Sequence, residues 1–184
     1  MMLLIATINI ETYKIGYTDE FFFDTNVWLL LFGNLANYKP KDQKEYSKFF
    51  KQTLTKESPI FISSFVLSEF ANVLLRAEFK NWKTRNNFSS TKDFKRDFGS
   101  TVEYKNCVKD IKISLLSILN LPNIHLISDF FNGINYNNIL NNFDLVDFND
   151  AYIIELVKGK YKIVTNDRDF QKFESKIDIV TTQI

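Results

Sequence analysis

A parallel-sheet α/β architecture is the expectation this chain raises on first reading, and three features raise it. Short, wholly apolar runs with polar residues close after them, such as Phe21-Phe22-Phe23 and Ile163-Val164, suit strands covered on both faces. Segments with apolar residues at helical spacing alternate with those runs, the pattern of repeated strand–helix units. A length of 184 residues is enough for one domain with a real core and short for two.

Each element has its own signal. Residues 1–19 make an N-terminal extension in which Leu3 to Ile10 suit a short strand before a turn at Gly16. Phe21 to Phe23 form a buried strand ending at Asp24, and a helix begins at Val27 with Asp24, Thr25 or Asn26 available as its N-cap. Lys41 to Thr55 form a charged helix with Phe49 and Phe50 on its inner side. Pro59 to Ser63 suit a second strand or an extended entry to the next helix. Ser63 or Ser64 caps that helix, whose apolar positions run from Phe65 to Ala77. Residues 80–100 are a polar insertion, a loop or exposed helical segment within the domain. A helix follows from Val102 to Leu119 and stops before Pro122; Asn123 to Ser128 give a strand. An asparagine-rich helix or loop covers 132–142. Asn149 and Asp150 open a helix ended by Gly159, Lys162 to Thr165 form a strand, and Ile177 to Thr181 form the last. No repeat or linker divides the chain, so residues 1–184 are expected to be a single domain.

Bulk properties exclude several classes of function. The net charge of +1 does not advertise a polyanionic partner, so attraction to nucleic acid must come from local patches. Cys107 is the only cysteine, which rules out an intrachain disulfide and a cysteine-rich zinc site. No basic leader precedes the apolar N-terminal residues, and the longest apolar run, Val27 to Phe32, is far below a membrane span. The expectation is a soluble, cytoplasmic protein. One histidine and no Gly-x-Ser-x-Gly give no support to a serine-hydrolase triad, and no glycine-rich phosphate loop is present.

Five acids carry the chemical signal: Asp24, Glu69, Asp150, Asp167 and Asp169. Asp24 directly follows a strand and Asp167 lies just beyond another, where functional groups gather in open α/β sheets. Glu69 falls in the first turns of a helix and Asp150 at a helix start, so four acids can face one crevice. Carboxylates brought together repel unless a cation or proton intervenes, and oxygen-only sites suit hard ions such as Mg²⁺ or Mn²⁺. Each acid also has a plain structural role open to it. Asp24 and Asp150 can cap helices, Glu69 can sit on a helix surface, and Asp167 and Asp169 can serve a turn. A shared ion accounts for all of them at once.

The motifs Asp-Thr-Asn-Val (24–27), Ser-x-x-x-Ser-Glu-Phe (64–70), Asn-Asp-Ala (149–151) and Thr-Asn-Asp-Arg-Asp-Phe (165–170) resemble those of PIN-domain ribonucleases, most of all the VapC-like toxins of toxin–antitoxin pairs. The resemblance spans residues 20–184, with the acids in the family's order. It implies a three-layer α/β/α sandwich on a parallel sheet of about five strands, ordered 3-2-1-4-5, and metal-dependent RNA cleavage. It further implies Asp24, Glu69, Asp150 and Asp167 as metal ligands and catalytic acids. It implies Asp169 as an auxiliary metal-site acid, holding a second ion or acting through water, and Asn26 and Thr165 as polar supports that orient ligands. An antitoxin partner and a homodimer follow from the same resemblance. The chain departs from compact relatives in its N-terminal extension and in the long stretch between Glu69 and Asp150.

Two further possibilities stand beside the nuclease. The basic residues Lys80, Lys83, Arg85, Lys92, Lys95 and Arg96 interleave with Trp82, Phe88 and Phe94, a composition for single-stranded RNA binding or for aromatic docking on the core. A catalytically inactive module that binds RNA or protein would retain the acids. An aspartate-dependent phosphatase would need a second acid two residues after Asp24, where Asn26 stands.

Overall fold

The three consecutive phenylalanines of strand β2 (Phe21–Phe23) are all fully buried, as a strand must be when helices cover both of its faces. A computed structural model, which describes residues 6–34, 39–88, 91–129 and 131–184, sets β2 near the middle of a six-stranded sheet. The other strands are β1 (Thr7–Asn9), β3 (Ile60–Ser63), β4 (Ile124–Ile127), β5 (Lys162–Val164) and β6 (Ile179–Thr181). Their order is β1-β6-β5-β2-β3-β4, and every pairing is parallel.

The expected five-strand order is present from β4 to β6. The sixth strand comes from the N-terminal extension, where Thr7, Ile8 and Asn9 pair with Ile179, Val180 and Thr181. Of the strand expected over Leu3 to Ile10, the residues before Ala6 lie outside the described ones. Tyr13 anchors the extension by donating its hydroxyl to Asp19 at 2.5 Å and stacking among Phe21 and Phe49.

Among the described residues six α-helices complete the layers: α1 (Thr25–Phe32), α2 (Pro40–Thr55), α3 (Ser64–Arg85), α4 (Val102–Leu119), α5 (Tyr136–Phe143) and α6 (Phe148–Val157). Trp28 of α1 is fully buried and donates its indole N–H to the carbonyl of Phe23 at 3.0 Å, so the helix is tied to the strand it follows. Phe49 and Phe50 of α2 pack on Phe23. α3 lies against both α1 and α4.

Three boundaries differ from expectation. α3 runs on to Arg85 because Phe79 and Trp82 continue its apolar side, so only part of the expected 80–100 insertion is irregular; a π-helical turn occupies Phe94–Phe98. α6 begins at Phe148 because Asp147, one residue earlier, caps it through the backbone N–H of Asp150 at 2.9 Å. β6 begins at Ile179, since the N–H of Ile177 is taken by the carbonyl of Phe173. Among the described residues no helix is long and apolar enough to cross a membrane.

Candidate metal and nuclease site

Asp24 is the best-defined member of the site. It is 3 % exposed and its carboxylate is held at both oxygens. Oδ1 accepts the N–H of Thr25 at 2.7 Å, which caps α1. Oδ2 accepts the hydroxyl of Thr165 at 2.9 Å and, at 3.4 Å, the side-chain amide of Asn26. The capping and site roles that the sequence left as alternatives are therefore filled by different oxygens of one side chain.

Thr165 reaches further. Its hydroxyl also accepts the N–H of Asp167 at 3.0 Å, so one threonine joins the ends of β2 and β5. Tyr46 of α2 donates its buried hydroxyl to the Thr165 carbonyl at 2.5 Å and fixes that loop from below. On the other side, Thr25 donates to Glu69 Oε2 at 2.7 Å. Thr25 and Tyr46 were not singled out as site residues from sequence. Thr25 had a signal, a hydroxyl beside the first acid; Tyr46 had none, because it is remote in the chain.

The electrostatics report on proximity. Burial pushes the Asp24 carboxyl up to about 7, with Glu69 and Asp167 adding to the rise while the Thr165 and Thr25 hydrogen bonds oppose it. Half-buried Asp150 is pushed up to about 8, again mainly by burial, then by the charges of Asp24, Asp147, Asp167 and Glu69. Asp24, Glu69, Asp150 and Asp167 are thus near enough for their charges to act on one another. Among the described residues none of these four forms an ion pair with lysine or arginine.

Asp169 behaves differently. Its carboxylate pairs with Lys172 at 2.7 Å, and its N–H donates to Asp167 Oδ1 at 2.9 Å, so it shapes the turn and already has a cation. Among the described residues no three acidic, imidazole or thiol side chains are gathered closely enough to hold one ion by themselves. The donor set is nonetheless oxygen-only, and Mg²⁺ keeps several waters and needs one or two carboxylates. Two carboxylates whose charge is disfavoured, with no protein cation nearby, are what a hard divalent ion would relieve. The residues fit such an ion in chemistry, as an open site.

The basic and aromatic stretch is largely occupied with itself. Trp82 is 6 % exposed and packs against Phe79, Phe88 and Phe98, so its ring is not available to stack on a base. Lys83 lies over Phe79 and Lys92 over Phe88. Arg85 pairs with Glu78 and Arg96 with Asp97, while Lys80 and Lys95 are exposed.

The family model of the PIN domain matches residues 21–176. An uncharacterized protein of Methanocaldococcus jannaschii is 26% identical over 155 residues, covering 82% of this chain and 70% of that protein. A chain of VapBC2 from Rickettsia felis, solved bound to a DNA fragment from their promoter, is similar at 16% identity and a TM-score of 0.49. That match covers 88% of this chain and 97% of the other.

Proposed function

From the premise that the chain belongs to the PIN-domain family, we propose that it is an endoribonuclease dependent on Mg²⁺ or Mn²⁺. The whole of residues 1–184 acts as a single unit, and Asp24, Glu69, Asp150 and Asp167 form its catalytic, metal-holding set. The observation that carries this reading is the pair of carboxylates, Asp24 and Asp150, with strongly raised proton affinity and no cationic partner in the same crevice. A divalent ion, when bound, supplies Lewis-acid polarisation of a phosphodiester and of the water that attacks it.

The chain's own residues do the positioning. Thr165 and Asn26 fix one oxygen of Asp24, Thr25 fixes Glu69, and the cap from Asp147 sets the first turn of α6 that carries Asp150. The arrangement leaves the mouth of the crevice to substrate. Asp169 serves as a support of the turn rather than as a ligand. The motifs' resemblance to VapC-like toxins leads us to assign the protein to a toxin–antitoxin pair, with an antitoxin as partner and a homodimer as its assembly.

The test is cleavage of single-stranded RNA by purified protein with Mg²⁺ or Mn²⁺, with EDTA and with Asp24→Asn. Cleavage that needs the metal and vanishes in the variant supports the reading. RNA and Mn²⁺ binding without cleavage would instead favour an inactive binding module. A variant that cuts at the wild-type rate would remove Asp24 from the site.

A further inference from the structure

A groove of about 620 Å³ runs along α3 and includes Glu69, one of the four acids. Its polar side is a stripe at every fourth residue, Ser64, Ser68, Asn72 and Arg76, all exposed. Phe65 and Val73 supply its apolar side, with the Phe65 ring stacked on Tyr152 at 4.7 Å. Glu69 opens into the groove at its inner end, where Asn149, the neighbour of Asp150, closes it from α6.

Arg76 is the single cation among the described lining residues, and it stands at the outer end. Its guanidinium lies 5.2 Å from the centre of the Phe94 ring, so the π-helical turn steadies it without neutralising it. Seven residues of helix separate Arg76 from Glu69, or roughly 10 Å. That is the reach of about three steps of a stacked strand at ~3.4 Å each, and fewer of an extended one.

We propose that this groove seats the single-stranded RNA beside the scissile phosphate, with Arg76 receiving a backbone phosphate and Phe65 and Val73 receiving a base. Ser68 and Asn72 lie between these positions and offer hydrogen bonds to base edges and to the sugar 2′-hydroxyl, the group by which RNA is told from DNA. The aromatic stretch after α3 then acts through Arg76, not by stacking on bases itself. This inference rests on the nuclease reading and names the path of its substrate.

The experiment measures binding of a short fluorescent single-stranded RNA to the Asp24→Asn chain, alone and combined with Arg76→Ala or Arg76→Lys, across a salt series. Arg76→Ala is expected to weaken binding about tenfold, as befits one lost charge-assisted contact. It should also lower the slope of log affinity against log salt by ~0.7. Arg76→Lys should keep the slope, and the melting temperature should hold in both. An unchanged affinity and slope in Arg76→Ala, or no RNA binding by the Asp24→Asn chain at low salt, overturns the groove assignment. Equal affinity for DNA of the same sequence overturns the assignment of the strand as RNA. Metal-dependent cleavage by the wild-type protein is scored separately, so the nuclease reading stands or falls on its own result.

Discussion

The crevice at the ends of β2 and β5 and the aromatic stretch at the end of α3 treat charge in opposite ways. In the crevice, Asp24 and Asp150 are shielded from water and crowded by like charges, and Asp24 is held by neutral donors. At the end of α3, Arg85 and Arg96 have carboxylates in reach, and Lys83 and Lys92 lie over aromatic rings. Charge that a fold leaves uncompensated is expensive and marks a place reserved for something else. Compensated charge on a surface marks ordinary solvation.

The largest expected effect tests the first half of that contrast. Asp24→Asn should lower RNA cleavage on the order of a thousandfold, about 4 kcal/mol of transition-state stabilisation. Its melting temperature without metal should stay level or rise at pH 8, because a disfavoured buried charge is gone. A cleavage assay and a thermal melt on the same sample check both. The opposite pattern, a variant with a lowered melting temperature that still cleaves at the wild-type rate, would make Asp24 a structural cap alone.

Trp82→Ala tests the second half. Removing this buried ring should cost ~3 kcal/mol or more in a denaturant titration, with metal-dependent cleavage by the folded fraction little changed. A selective loss of RNA binding at unchanged stability would show the ring reading bases after all.

A pH series sharpens the comparison further. Asp24 and Asp150 hold protons more tightly folded than unfolded, so the metal-free protein binds more protons than its unfolded chain between pH 4 and 8. Stability must therefore fall as pH rises through that window. Added Mn²⁺ should flatten the slope most at the alkaline end. A melting temperature independent of pH from 5 to 8 would deny the raised affinities.

Thr165→Val should cost roughly 10–100-fold in activity or metal affinity, since it frees one oxygen of Asp24 and the N–H of Asp167 together. Smallest of all, Arg96→Ala should leave stability nearly unchanged, because its pair with Asp97 is exposed. A clear loss of RNA affinity in this variant would move the arginine from solvation to recognition.

How much of this was legible in the sequence depended on range. Local patterns found β2 and β5, because a doubly covered strand must be apolar throughout, and offered Asp24 as one of three candidate caps for α1. The ordered motifs gave the family and the order of the five inner strands. The residues that fasten the site, Thr25, Tyr46 and the double use of Thr165, were partly or wholly hidden, since each depends on a partner far along the chain. The sixth strand was visible only as an apolar run whose place was unassigned: its partner, Ile179–Thr181, lies at the opposite end. Asp169 misled because an acid two residues from Asp167 looks like a ligand until Lys172 is seen beside it.

The hydrogen bond between Thr165 and Asp24 joins residues 141 positions apart. During synthesis the first acid leaves the ribosome long before the strand that supports it. A prematurely terminated chain ending before β5 therefore lacks Thr165 and Asp167 and presents no completed site. For the proposed ribonuclease, that order of assembly withholds cleavage until β5 has been made.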